Sequence, residues 1–165
     1  MALQLTRAHL EAIADHGARD YPSECCGVLL GNDTGLLKQV RELAAIRNLR
    51  QDRALAEELL PLAQPELESE RNRFLMDPGE LRRIEAEGRR RGLDVIGYYH
   101  SHPDHPAQPS EYDREHAWPW VSYVIMKIEA GRAGDYASWV LAEDRSRFES
   151  EPIDVVDVQA APESA

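Results

Sequence analysis

Residues 100–113 include a pair of histidines at alternate positions, followed by a serine and an aspartate three residues apart. His100 and His102 are two residues apart at the end of an apolar run that is typical of a β-strand. Side chains at positions i and i+2 of a strand project from the same face, so both imidazoles can converge on one point. A loop with three prolines then leads to Ser110 and Asp113, at the start of a predicted helix. Two imidazoles and one carboxylate are the protein ligands of a catalytic type of zinc site, in which water takes the fourth position.

Each part of this segment also has a purely structural explanation. A His-x-His pair can simply be two polar residues at a strand end. Ser110 to Asp113 form the S-x-x-D pattern of a helix capping box, and the first helical turn favours a carboxylate through the helix dipole. The two interpretations are compatible, because a carboxylate in that turn stays ionised, as a ligand must be. The conjunction at the end of a strand, where α/β folds place their sites, favours a metal site.

Several side chains near this segment are interpreted as structural. Asp104 is expected to be a solvated loop residue rather than the hydrogen-bond partner of a metal-bound histidine. His116 is expected to pack the helix, as are Trp118 and Trp120 at the helix end. From the sequence, the roles of Asp104, His105 and His116 beside a metal ion stay open.

The composition predicts one globular domain outside membranes. The 165 residues are enough to bury a sizeable core, and the net charge of −11 argues against nucleic acid or an anionic membrane as a partner. Residues 1–17 carry charged groups where a secretion signal requires an apolar stretch, so we expect a cytoplasmic protein. Cys25 and Cys26 are adjacent, and since neighbouring cysteines rarely pair, both are predicted to be reduced thiols.

The hydrophobic pattern predicts an α/β domain with a mixed β-sheet flanked by helices. This domain is predicted to cover residues 1–157, with an acidic insertion at about 50–70 that includes a helical stretch around 54–60, and with a disordered tail at 158–165. Thr6 is the predicted N-cap of the first helix. The predicted helices cover residues 6–18, 78–91 and 110–118, and the predicted strands cover residues 27–30, 36–45, 73–76, 94–101, 121–128, 136–141 and 147–155.

The spacing His-Ser-His, seven residues, Ser-x-x-Asp resembles the JAMM (MPN+) zinc metallopeptidase signature. That signature includes an upstream glutamate, and segment 21–31 resembles the first-strand region in which the family places it. Glu24 fits that position, and every position of the signature is matched. The resemblance extends over nearly the whole chain. It implies a single JAMM/MPN-type domain with a three-layer arrangement similar to that of cytidine deaminases.

The resemblance also implies a role for each residue of the signature. His100, His102 and Asp113 would ligate one Zn²⁺ per chain, with water completing the tetrahedron. Glu24 would assist the attack of that water as general base, and Ser110 would donate a hydrogen bond to the oxyanion. The implied reaction is hydrolysis of a peptide or isopeptide bond.

The substrate class follows from the resemblance alone. The chain is most similar to short, stand-alone bacterial members, which are associated with ubiquitin-like sulfur-carrier proteins of the ThiS/MoaD type. The implied cleavage follows the C-terminal Gly-Gly of such a carrier. Three alternatives remain, namely a zinc hydrolase acting on another peptide or amide, a non-catalytic MPN scaffold, and a hydrolase that uses Cys25 or Cys26. The oligomeric state is left open.

Overall fold

The computed structural model describes residues 1–49 and 75–158, which form eight strands and three helices. In chain order these are β1 (Ala2–Thr6), α1 (Arg7–Asp20), β2 (Cys26–Asp33), β3 (Leu37–Ile46), α2 (Pro78–Arg90), β4 (Asp94–Pro103), α3 (Glu111–His116), β5 (Ser122–Glu129), β6 (Arg132–Leu141), β7 (Phe148–Glu151) and β8 (Ile153–Val156). The predicted insertion at 50–70, its helical stretch and the tail beyond residue 158 lie outside the described residues. Within the two described ranges, no helix has the length and hydrophobicity needed to cross a membrane.

All eight strands belong to one mixed sheet, in the order β7-β6-β5-β4-β2-β3-β1-β8. β4 is parallel to β5, and β1 is parallel to β3 and β8, whereas the other neighbours are antiparallel. Only Pro152 separates the two edge strands in sequence, so the sheet curls until its edges approach each other. At this junction the Leu3 N–H donates to the Pro152 carbonyl at 2.9 Å. The predicted mixed-sheet α/β domain is confirmed.

Two of the predicted strands are wrong. The prediction of one strand over 147–155 fails because Pro152 has no N–H to donate, and the chain divides there into β7 and β8 at opposite edges of the sheet. In the predicted strand at 73–76, Leu75 and Met76 are not in a strand, and Leu75 instead accepts one backbone hydrogen bond from Leu49. The sequence patterns did not predict β1, although the buried Leu3 and Leu5 alternate with half-buried residues, as in a strand with one buried face.

Helices cover both faces of the sheet, as the three-layer expectation requires. Along β2, Leu29 packs in one core cluster with Ile13 of α1, whereas Val28 and Leu30 pack in a second cluster with side chains of α2. Successive strand residues point to opposite faces, so α1 and α2 lie on opposite sides. Gly17 allows α1 to approach β5 closely, because a Cβ there would lie 2.6 Å from the Ile128 Cδ1 atom.

Side chains fix where the helices begin. The Thr6 hydroxyl accepts from the His9 N–H at 3.1 Å, and His9 Nδ1 accepts from the Thr6 N–H, which confirms the predicted cap of α1. At α2, Asp77 accepts from the Gly79 N–H at 2.9 Å. α3 ends at His116, two residues earlier than predicted.

A buried polar network lies where the sheet closes. Lys38 Nζ of β3 donates to Ser122 Oγ of β5 at 2.9 Å and lies 3.3 Å from Glu151 Oε2 of β7. Glu151 Oε1 also accepts from the hydroxyls of Ser122 and Ser138 at 2.7 and 2.9 Å. The side chains of Lys38 and Glu151 are each only 4% exposed, so one ion pair joins strands from both halves of the sheet.

Replacement of this buried cation tests its contribution to stability. Lys38→Met leaves the Glu151 carboxylate buried without its cation, so the free energy of unfolding should fall by about 3–5 kcal/mol. Urea denaturation would measure the change. Lys127→Met is the matched control, since Lys127 pairs with a largely exposed Glu129 and its loss should cost less than about 1 kcal/mol. Equal losses in the two variants would contradict this account of the network.

Candidate metal centre and active site

The two histidines of β4 converge as the strand pattern predicts. His100 pairs with Cys26 of β2 on one side and with Ile125 of β5 on the other, so the strand is held from both sides at this point. His100 is 1% exposed and His102 is 7% exposed. Their Nε2 atoms are 3.1 Å apart. Two buried imidazole nitrogens therefore share one small volume at the end of the strand.

Asp113 reaches the same volume from α3. Its Oδ1 lies 3.3 Å from His100 Nε2, and its Oδ2 lies 3.2 Å from His102 Nε2. The carboxylate also accepts from the Ser110 N–H at 2.8 Å, while the Asp113 N–H donates to Ser110 Oγ at 3.0 Å. The predicted capping box is therefore present, and the bonds that begin α3 also aim the carboxylate. Burial resists the ionisation of Asp113, but the two imidazoles outweigh it and hold the pKa of this carboxyl well below its ordinary value.

The spacing of these three donors fits a tetrahedral metal ion. Nitrogen and oxygen ligands 2.0–2.1 Å from Zn²⁺ lie about 3.3–3.4 Å from one another, close to the distances among His100, His102 and Asp113. Glu24 is also buried here, with Oε1 4.0 Å from His102 Nε2. One donor atom from each of Glu24, His100 and His102 lies within 4.8 Å of the other two. Because Glu24 lies farther from His102 Nε2 than Asp113 does, the distances favour Asp113 as the third ligand.

The orientation of His102 is set by a backbone carbonyl. His102 Nδ1 lies 2.8 Å from the Pro106 carbonyl, which can only accept, so Nδ1 carries a proton and Nε2 faces the cluster. Asp104 does not take this role. It accepts from the Tyr21 hydroxyl at 2.6 Å and from the Ala130 N–H at 2.9 Å, so it braces the loop and is not merely solvated as expected.

Glu24 owes its position to the register between β2 and β4. The β2–β4 ladder ends where Cys26 pairs with His100, and the two residues before Cys26 lie beside Ser101 and His102 in irregular backbone. The Ser101 N–H donates to the Cys25 carbonyl at 3.1 Å, and Ser101 Oγ lies 2.8 Å from the Cys25 nitrogen and accepts its N–H. The sequence patterns did not predict a role for Ser101. Its place between the two histidines was visible in the sequence, but its complete burial is visible only in the structure.

A cavity beside His100 and Asp113 is lined by aromatic residues, including Tyr112 and His116. His116 stacks on Tyr112 with ring centroids 4.0 Å apart, and its Nδ1 lies 2.8 Å from the Tyr112 carbonyl. It therefore contacts its own helix, as expected, and also borders the cavity. The expected packing of Trp118 and Trp120 at the helix end is wrong, because these residues are 65% and 69% exposed.

The two cysteines are unsuited to nucleophilic catalysis. Both are fully buried, and burial raises the pKa of the Cys25 thiol to about 12 and holds the pKa of Cys26 well above its ordinary value. A thiol is a nucleophile in its ionised form, so neither residue supports the alternative of a cysteine hydrolase.

Sequence and fold are both similar to those of known proteins. The profile of a family described as prokaryotic homologs of the JAB domain matches residues 6–142. The chain is 33% identical over 109 residues to a desampylase of Haloferax volcanii, covering 66% of this chain and 65% of that protein. It is 29% identical over 133 residues to a probable TtuB-protein conjugate cleaving protease of Thermus thermophilus, covering 81% of this chain and 75% of that protein. The chain thus spans a little less than two thirds of the desampylase.

The fold resembles the crystal structure of a JAB1/MPN domain protein from Archaeoglobus fulgidus. The TM-score is 0.53 at 17% sequence identity, and the match covers 94% of this chain and 99% of that chain. Identity at this level bears on the fold alone. The structural match confirms the expected JAMM/MPN-type architecture.

Removal of the Ser101 hydroxyl tests the contact that holds the Glu24 segment. Ser101→Ala leaves the buried Cys25 N–H without its acceptor, so the free energy of unfolding should fall by about 1–3 kcal/mol. Urea denaturation of the metal-free protein would measure this. Ser150→Ala, at an exposed position of β7, is the control and should change stability by less than about 0.5 kcal/mol. Wild-type stability in Ser101→Ala would refute the assigned role.

Proposed function

We propose that this chain, which belongs to the prokaryotic homologues of the JAB domain, is a zinc-dependent metallopeptidase. It cleaves the peptide or isopeptide bond after the C-terminal Gly-Gly of a ubiquitin-like sulfur-carrier protein of the ThiS/MoaD type. The observation that carries this proposal is the convergence of two imidazoles and a carboxylate, with the buried carboxyl group of Glu24 beside them. The same arrangement speaks against the alternative of a non-catalytic scaffold, since a scaffold has no use for it.

His100, His102 and Asp113 would hold one Zn²⁺ per chain. The Nε2 lone pair of His102 is directed to the cluster by the Pro106 carbonyl, and the ionised Asp113 supplies the negative charge that a cation favours. When bound there, zinc polarises a carbonyl oxygen and lowers the pKa of a water molecule to about 7.

Glu24 and Ser110 complete the chemistry. Glu24 is 2% exposed and its Oε1 lies 4.0 Å from His102 Nε2, so its carboxylate is placed to take a proton from the attacking water and return it to the leaving amine. Ser110 Oγ accepts from the Asp113 N–H, which leaves the hydroxyl proton available for the oxyanion of the tetrahedral intermediate.

The substrate class is supported by the relatives rather than by the site. Their names describe a desampylase and a protease that cleaves protein conjugates of TtuB, and both point to small protein modifiers as substrates. A Gly-Gly tail has no side chains, so it can pass close to a buried metal centre without a side-chain pocket. The substrate would therefore be recognised on the body of the carrier, with the tail reaching the site.

Cleavage of an extended carrier tests the proposal. A ThiS- or MoaD-type carrier fused to a short peptide after Gly-Gly should lose that peptide in the presence of the zinc-loaded protein, as measured by intact mass. Glu24→Gln keeps the shape of the side chain but not the base, so the rate should fall by about 10²–10⁴-fold. Glu149→Gln, at an exposed position of β7, is the matched control and should keep wild-type activity.

Two outcomes would count against the proposal, and they differ in meaning. Cleavage that survives complete removal of zinc by a chelator would exclude the mechanism. Intact carrier with the zinc-loaded wild type, together with cleavage of another peptide or amide, would exclude only the substrate class.

Metal analysis tests the ligand assignment separately from activity. The wild type should contain one equivalent of zinc after dialysis, whereas a His100→Ala/His102→Ala double variant should contain almost none, because two of its three ligands are gone. His105→Ala is the control, since this exposed histidine lies in the neighbouring loop outside the cluster. Zinc retained at full stoichiometry in the double variant would show that the ion binds elsewhere.

A further inference from the structure

Asn48 is a fully buried residue just beyond the end of β3. Its side-chain amide makes hydrogen bonds to two separate segments of the chain. Nδ2 donates to the Glu24 carbonyl at 2.9 Å, and Oδ1 accepts from the Leu75 N–H at 3.0 Å. One amide therefore joins the backbone of the proposed general base to the segment that leads into α2.

The orientation of this amide is determined by its partners. The Leu75 N–H can only donate and therefore requires the amide oxygen, so the NH₂ group must face the Glu24 carbonyl, which can only accept. The position of Leu75 is itself fixed, because its carbonyl accepts from the Leu49 N–H at 2.9 Å. The donor to Glu24 is thus held in one direction by bonds on the far side of the amide.

Glu24 has special need of such a contact. The β2–β3 ladder ends at the pair Cys26 and Ile46, and Glu24 lies two residues before it in irregular backbone. The peptide group between Glu24 and Cys25 is planar, and Ser101 Oγ holds its N–H side while Asn48 holds its carbonyl side. A rotation of the Glu24 peptide would swing its carboxylate, which lies 4.0 Å from His102 Nε2.

We propose that Asn48 is a positioning residue that acts through Glu24. This inference rests on the proposed function, since it assumes that Glu24 carries the proton in the reaction. Asn48 makes no contact with substrate in this role and sets only where the carboxylate stands. A misplacement of about 1 Å can cost about 10²-fold in rate, so the contact has a large effect for a single hydrogen bond.

The primary experiment measures kcat and KM of two variants on the extended carrier. Asn48→Ala removes both bonds, whereas Asn48→Asp keeps the acceptor for Leu75 but, when ionised, has no donor for the Glu24 carbonyl. Both should lower kcat by about 10–100-fold, with KM within about twofold of wild type and with full zinc content. Asn32→Ala is the matched control, because Asn32 also bonds a backbone carbonyl, that of Gly92, but on the opposite end of the hairpin.

A double variant separates positioning from general stabilisation. If Asn48 acts through Glu24, Asn48→Ala should cause no further loss of the residual rate in a Glu24→Gln background. A structural role alone would lower the residual rate by the same factor in both backgrounds, and this result would overturn the inference. An unchanged kcat in the two single variants would overturn it as well, as would loss of zinc from them.

A measurement without substrate keeps the inference testable if the carrier proves not to be cleaved. The ¹³C resonance of the Glu24 carboxyl group should shift or broaden in Asn48→Asp and stay unchanged in Asn32→Ala. An unchanged resonance in Asn48→Asp would overturn the inference by itself. Failure of the wild type to cleave the carrier would count against the proposed function only.

Discussion

The register between β2 and β4 is the constraint on which the site depends. Gly27 pairs with Tyr99, and a Cβ at position 27 would lie 2.1 Å from a ring carbon of that tyrosine. Only glycine fits beneath the ring, so the two strands meet in this alignment. Just beyond the pair of Cys26 with His100, Cys25 bonds to Ser101 and the Glu24 carboxylate lies 4.0 Å from His102 Nε2. A slip of one residue would turn Glu24 to the other face of the sheet, away from both histidines.

The bonds that begin α3 also position the Asp113 side chain. The reciprocal bonds between Ser110 and Asp113 satisfy backbone N–H groups that a helix start leaves without partners. They also hold the Asp113 carboxylate against two imidazoles. The structural interpretation of the Ser-x-x-Asp pattern is confirmed, and the proposed roles of Ser110 and Asp113 are compatible with it.

The sequence predicts those features that depend on residues only a few positions apart. The cap at Thr6, the β2–β3 hairpin and the convergence of His100 with His102 all follow from spacing within a few residues. The contacts that place Glu24 do not, because Ser101 is 76 residues from Cys25 in sequence and Asn48 is 24 residues from Glu24. The division of 147–155 into two edge strands is equally non-local. Pro152 indicates a break, but only the curl of the sheet determines where each half pairs.

The burial of this cluster favours a cation among its residues. The carboxyl groups of Glu24 and Asp113 lie beside His100 and His102, largely away from solvent, and two ionised carboxylates bring two negative charges there. Buried charge without an opposite partner is strongly unfavourable. A divalent cation offsets both charges and uses the imidazole lone pairs, whereas protonation of the imidazoles offsets the charge but consumes those lone pairs. In the proposed mechanism, the ion that activates the water would therefore also relieve the cost of burying the residues that hold it.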